Sequence, residues 1–343
     1  MYPPKGIYIR SFFRQIRSGF SASTCGCASM PPIHRLRAAA FIGIAGVGAL
    51  YFFYSSPSKS ASTLTDEPLS PSHFTPASVT STESCGPNFR LITLTVPPKL
   101  VPPKSSFSRI WSVFIKDDDI QVERPYTPLE GIDEHGNMKF WIKKYPNGEV
   151  GRWLHSKQIG DKVELRGPLQ TWLWKDDAWD EVIMISGGTG ITPFYQLLHS
   201  TFQNAPSKTR FTLLHSSRSP SELPPPEILV PLIDHSRTNP ERFQMKIFVD
   251  EMEKESPLGL MPQLGRIDRQ AIEGCLGYKT SWWHNLFRKQ RQAQPSSRVL
   301  FLVCGPEPMI GAIAGPYGRN YSQGPVLGVL GGLGFTSSQV RKL

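Results

Sequence analysis

Acidic residues are absent from the first 60 positions of this 343-residue chain, although seven cations fall there: Lys5, Arg10, Arg14, Arg17, Arg35, Arg37 and Lys59. That shortage produces most of the net charge of +10, because the other 283 residues carry 31 basic and 28 acidic side chains. A body so balanced lacks the clustered cations that a phosphate backbone requires, so no nucleic-acid partner is expected. Cysteine is scarce too. Cys25, Cys27, Cys85, Cys275 and Cys304 are odd in number and irregular in spacing, which argues against a disulfide framework or a metal site. No internal repeat occurs. Charged residues make up only 19% and hydrophobic ones 39%, enough for a sizeable core across about two domains.

The acid-free stretch divides in two. Residues 1–37 are rich in Arg and Ser and alternate basic with apolar side chains, the composition of a mitochondrial targeting segment. Residues 38–54 are seventeen uncharged residues, long enough as a helix to span about 25 Å, and read as a transmembrane anchor. Arg35 and Arg37 flank it on one side, and Tyr51 and Tyr54 suit the opposite interface. Residues 55–87 are mostly Ser, Thr and Pro without an apolar period. They read as a disordered linker, with folded protein beginning near Asn88.

From there the texture is that of short strands. Residues 89–96, 109–115 and 138–144 alternate or run apolar between Pro, Gly and Asp clusters, which predicts a small antiparallel β-barrel over 88–180. Past Asp180 the pattern changes. Continuous apolar runs at 181–186, 211–215, 244–250 and 299–304 are separated by longer segments, one of them helical at 193–200. This predicts an α/β parallel-sheet domain over 181–343, with a nucleotide at the strand C-terminal ends.

Three motifs carry chemistry. Arg124-Pro125-Tyr126-Thr127 offers a guanidinium fork for a diphosphate, a ring face and two hydroxyls, with Pro fixing the backbone between them. Gly187-Gly188-Thr189-Gly190-Ile191-Thr192-Pro193 closes an apolar strand and opens a helix, where backbone N–H groups can approach a pyrophosphate. Thr192 fits the helix N-cap and Pro193 the first turn. Cys304-Gly305-Pro306-Glu307-Pro308-Met309 ends another buried strand and sets a thiol beside a glycine turn. The histidines are scattered and read as structural or solvated, and no acid–base dyad is needed.

In this order the motifs resemble the ferredoxin-reductase-type FAD/NAD(P) oxidoreductases, and within them the NADH–cytochrome b5 reductases. The resemblance covers about residues 88–343 and implies an FAD-binding barrel followed by an NAD-binding domain. It implies that Arg124, Pro125, Tyr126 and Thr127 hold FAD, and that Trp141-Ile142-Lys143-Lys144-Tyr145 is the strand beside the flavin. Gly148-Glu149-Val150-Gly151 stands where the family has Gly-Lys-Met-Ser before a short helix; Gly148 is kept, but Glu149 and Gly151 depart. Gly148, Val150 and Gly151 are expected to cradle the pyrophosphate through their backbones. Gly187, Gly188, Thr189, Gly190, Thr192, Pro193, Gly305, Pro306 and Met309 are expected to hold the nicotinamide dinucleotide. Thr127, Lys143 and Cys304 are the implied catalytic positions, and Glu222 is the acidic residue near the adenosine ribose, favouring NADH over NADPH although Arg218 pulls the other way.

The expected function is hydride transfer from NADH to FAD, then single electrons to a haem protein such as cytochrome b5. The alternative is a mitochondrial FAD reductase supporting haem attachment to cytochrome c, with the cytochrome c assembly machinery as partner. A flavin-free scaffold is the non-enzyme alternative. The leader and anchor lead to the inner mitochondrial membrane, with the catalytic part in the intermembrane space. The basic, aromatic stretch 279–298 departs from the family and reads either as a solvated loop or as a docking surface.

Overall fold

The computed structural model describes residues 61–117, 121–203, 208–252, 260–276 and 298–343. The targeting segment, the anchor, residues 55–60 of the expected linker and residues 279–297 lie outside the described residues. No helix of the described residues is long and apolar enough to cross a membrane.

Among the described residues, the first half is built from β1 (Thr75–Ser84), β2 (Phe89–Thr95), β3 (Ile110–Lys116), β4 (Glu123–Tyr126), β5 (Asn137–Lys143) and β6 (Lys162–Trp172), with one α-helix, α1 (Glu149–Ser156). The strands pair in the order β4-β3-β6-β1-β2-β5, every neighbour antiparallel. Val79, Ile92, Val113, Phe140, Ile142 and Leu165 share one core, so the sheet curls around it and leaves β4 and β5 as its ends. Those ends carry the flavin motifs.

The reading of 55–87 as linker is overturned for β1. Thr75, Ala77 and Val79 are buried while alternate positions face outward, and Leu69 and Phe74 ahead of them are buried as well. The inward side chains are small or β-branched, which suits a pleated surface without a strong apolar signal. A Ser/Thr-rich strand looks like a linker when its inward residues are Thr and Ala.

The second half has β7 (Glu181–Gly187), β8 (Arg210–Ser217), β9 (Phe243–Val249), β10 (Gln263–Leu264), β11 (Val299–Cys304) and β12 (Val340–Lys342). Its helices are α2 (Thr192–Phe202), α3 (Pro226–Thr238), α4 (Arg269–Cys275), α5 (Glu307–Ala314) and α6 (Gly328–Gly332). The order is β10-β9-β8-β7-β11-β12, all parallel. Residues of β7 are buried along its whole length, as expected of a parallel strand covered on both faces. The chain steps outward from β7 to β10, then returns to lay β11 against β7. That reversal is the switch point where open α/β sheets bind ligands. Pairing of Ser186 with Cys304 sets the two strand ends, and so both glycine turns, side by side.

Candidate active site: a cleft between flavin and nucleotide walls

A cleft of about 600 Å³ opens where the two sheets meet. One wall is β4, giving Arg124, Pro125 and Tyr126, followed by Thr127. Burial pushes the Tyr126 phenol up, so it stays protonated and can donate. The floor is β5, where Trp141, stacked at 4.9 Å between centroids on Phe89 of the neighbouring β2, is followed by Lys143. Gly148, Glu149, Val150 and Gly151 complete this side at the start of α1, whose first N–H groups have no intrahelical partner.

The departure at Gly151 has a steric reason. A Cβ there would stand 2.9 Å from the Lys143 carbonyl oxygen, so a side chain would push α1 off β5. Glu149 suits a helix N-terminus electrostatically but competes with a phosphate there. Of the two cations lining the cleft among the described residues, Lys143 is committed elsewhere, which leaves Arg124 to face a diphosphate.

The opposite wall comes from the switch point: Gly187, Thr189, Gly190, Thr192 and Pro193 on one turn, Cys304, Gly305 and Pro306 on the other. Gly188 turns in the left-handed region at φ +53°, where a side chain is strained. Gly187 and Gly305 pack on Met309, which lies behind the turns and does not line the cleft. The cap reading of Thr192 is corrected. A 3₁₀ turn, Gly188–Ile191, runs straight into α2, so Ile191 is the N-cap and Thr192 is already helical. Its hydroxyl donates back to the Thr189 carbonyl at 3.0 Å, while Pro193 sits in the first turn as expected.

Burial pushes the Cys304 thiol up to about 12, so a neutral thiol, not a thiolate, lines the wall. It is suited to contact a ring, not to attack one. Beneath the turns, His215 is buried between Ser186 (2.8 Å) and Ser217 (3.1 Å), and burial holds its pKa down near 3. It is a neutral structural histidine, as the sequence suggested.

Glu222 stands outside the cleft lining and reaches it through Lys143. Lys143 Nζ donates to Glu222 Oε2 at 2.7 Å, with both side chains about 15% exposed, while Arg218 Nη1 lies 3.7 Å from Oε1. Sequence spacing gave no sign of this pair, since 79 positions separate its members. The lining also includes Ser112, Asn147, Thr171 and Leu343, none of which was singled out. Ser112 had a faint signal as a hydroxyl between Trp111 and Val113 in an apolar strand; Leu343 had none.

The residues present fit FAD and a nicotinamide dinucleotide. Glycines stand where a Cβ would meet main chain, an open helix start faces a diphosphate-sized space, and the exposed Arg124 guanidinium lies beside it.

Comparison with known proteins agrees. A model of the oxidoreductase FAD-binding domain matches residues 76–174, and one of the oxidoreductase NAD-binding domain matches 184–315. The chain is 32% identical over 230 residues to NADH-cytochrome b5 reductase 2 of Mycosarcoma maydis, covering 66% of this chain and 59% of that protein. It is 30% identical over 235 residues to the protein of that name from Candida glabrata, covering 68% of this chain and 72% of the other. Among solved structures, the cytochrome b5 reductase domain of Ulva prolifera nitrate reductase superposes with a TM-score of 0.58. It is 19% identical, covering 81% of this chain and all of that one. The CS-b5R domains of human Ncb5or, in the NAD+ form, give 0.58 at 20% identity, covering 79% of this chain and 69% of the other. These two likenesses concern the fold.

Proposed function

The chain belongs to the NADH–cytochrome b5 reductase family, and from that premise we propose that it delivers the electrons of NADH singly to a haem protein. It is an NADH-dependent FAD oxidoreductase. Bound together, NADH and FAD supply hydride donation and its conversion to one-electron delivery. The observation that carries the reading is one cleft lined on one side by Arg124, Tyr126 and Thr127 and on the other by the turns at Gly190 and Cys304. A flavin-free scaffold would not need this convergence.

The chain's own residues supply binding and orientation. Arg124 would neutralise the diphosphate, and the start of α1 would meet it with main-chain donors. The Tyr126 phenol, kept protonated by burial, would donate to the flavin, and Thr127 closes the wall beside it. Glycines at 187 and 190 would let a dinucleotide approach the main chain, and the Cys304 thiol would bound the space for its nicotinamide.

Donor choice rests on Glu222. Its carboxylate repels a 2′-phosphate, and it also occupies Lys143 and sits beside Arg218. Glu222→Thr should therefore release two cations toward that phosphate while removing one repulsion. The NADPH/NADH ratio of kcat/KM is expected to rise by roughly fivefold to thirtyfold, since a partly buried charge contact is worth about 1–2 kcal/mol. An unchanged ratio would remove Glu222 from the ribose end.

Placement in the inner mitochondrial membrane, anchored by 38–54 with the catalytic part in the intermembrane space, belongs to the same proposal. It is supported by the acid-free leader and the uncharged run behind it. Protease should digest the catalytic part once the outer membrane is ruptured and spare it in intact mitochondria; protection after rupture would mean the matrix. The acceptor is tested with the full chain, NADH and either cytochrome b5 or the haem substrate of cytochrome c assembly. Reduction of cytochrome b5 supports the reading; reduction of the second alone would move the protein to cytochrome c maturation.

A further inference from the structure

We propose that Gln196 is a positioning residue for hydride transfer, a buried pin that fixes the nucleotide wall against the flavin wall. The inference rests on the NADH-to-FAD reading given above. Helix α2 opens with Thr192 and Pro193, which line the cleft, and Gln196 lies one turn further along the same face. Its side chain is 3% exposed, and both ends of the amide are used. Oε1 accepts from the Trp111 backbone N–H at 2.8 Å, and Nε2 donates to the Pro128 carbonyl at 2.9 Å.

Both partners belong to the flavin wall. Trp111 lies on β3, the strand that pairs with β4, and Pro128 directly follows Thr127. The β3–β6 register shifts between Ile110 and Trp111, an irregularity that re-aims main-chain groups, and there the Trp111 N–H goes to Gln196. Arg109 Nη1 adds a bond to the Ser200 carbonyl at 3.2 Å, one turn further along α2. Neither partner of Gln196 can swing away as a side chain could. Reacting atoms must approach to about 3–3.5 Å, and a misplacement of about 1 Å costs on the order of a hundredfold. A pin four residues from Thr192, ending one residue from Thr127, controls that spacing.

The test uses the flavin-loaded full chain and two variants. Gln196→Leu removes both bonds. Gln196→Glu keeps the acceptor always but can donate to Pro128 only while its buried carboxyl is protonated. Rapid mixing with NADH yields the flavin-reduction rate constant and the NADH Kd; flavin content is measured alongside. In Gln196→Leu the rate constant should fall at least about tenfold, with flavin content kept and Kd within about twofold. In Gln196→Glu it should recover as pH is lowered, a gain the wild type does not show. A flavin-loaded Gln196→Leu within about twofold of wild type would overturn the proposal, as would a Gln196→Glu profile parallel to wild type. If Gln196→Leu does not fold, the second variant's pH profile decides alone. Failure of wild-type flavin to be reduced by NADH would instead sink the underlying reading.

Discussion

Gly190→Val should abolish NADH-driven flavin reduction while leaving FAD bound. A Cβ at this position would stand 2.4 Å from the Cys304 carbonyl oxygen, 2.6 Å from its carbonyl carbon and 2.8 Å from the Gly305 Cα. All three are main-chain atoms of the neighbouring turn, so no side chain can move aside. The ends of β7 and β11, held in register by the Ser186–Cys304 pair, would have to part. Displacing this wall by about 1 Å costs on the order of a hundredfold in a transfer between stacked rings. The larger valine side chain also fills space meant for a pyrophosphate. We expect kcat/KM for NADH to fall by roughly a hundredfold or more. The flavin wall belongs to the other sheet, so the flavin-to-protein absorbance ratio should stay near wild type. Activity within about tenfold would mean that the dinucleotide does not cross this turn.

The second large effect is expected at Arg124. Its guanidinium bonds the Glu123 carbonyl at 2.9 Å and is exposed, so little of the fold depends on it. Lys143, the other cation of the cleft, is held by Glu222 and cannot take its place without breaking that pair. Arg124→Ala should therefore preserve the melting temperature of the flavin-free chain and weaken FAD. Loss of a hydrogen bond to a charged group costs about 1.5–3 kcal/mol, or roughly tenfold to a hundredfold in Kd. Arg124→Lys should recover only part, since an ammonium cannot present the two-pronged donor set. Flavin content after dialysis measures both; full occupancy in Arg124→Ala would contradict the assignment.

How far the sequence revealed this site depends on the kind of information each residue carries. Val182 to Ile185 form an unbroken apolar run that only a doubly covered strand explains, so β7 and its glycine turn were legible. Arg124 to Thr127 and Cys304 to Pro306 were legible as motifs, and the fold brings them to one cleft. What failed was local composition. β1 hides its inward face in Thr75, Ala77 and Val79, and its Ser-rich outer face looked like linker. Thr before Pro suggests an N-cap at Thr192, whereas the 3₁₀ turn makes Ile191 the N-cap and Thr192 the first helical residue. Pairings between distant positions were also invisible. Neither Lys143 with Glu222 nor Gln196 with Trp111 can be inferred from spacing, because the meeting of the two sheets creates both.

The most direct test of the central claim is anaerobic titration of the flavin-loaded chain with NADH, followed by oxidised cytochrome b5. About one equivalent of NADH should bleach the flavin absorbance, and about two equivalents of the haem protein should restore it while the haem is reduced. A chain that purifies without flavin, or holds flavin that NADH leaves unbleached, would contradict the account. So would bleached flavin that no haem protein reoxidises.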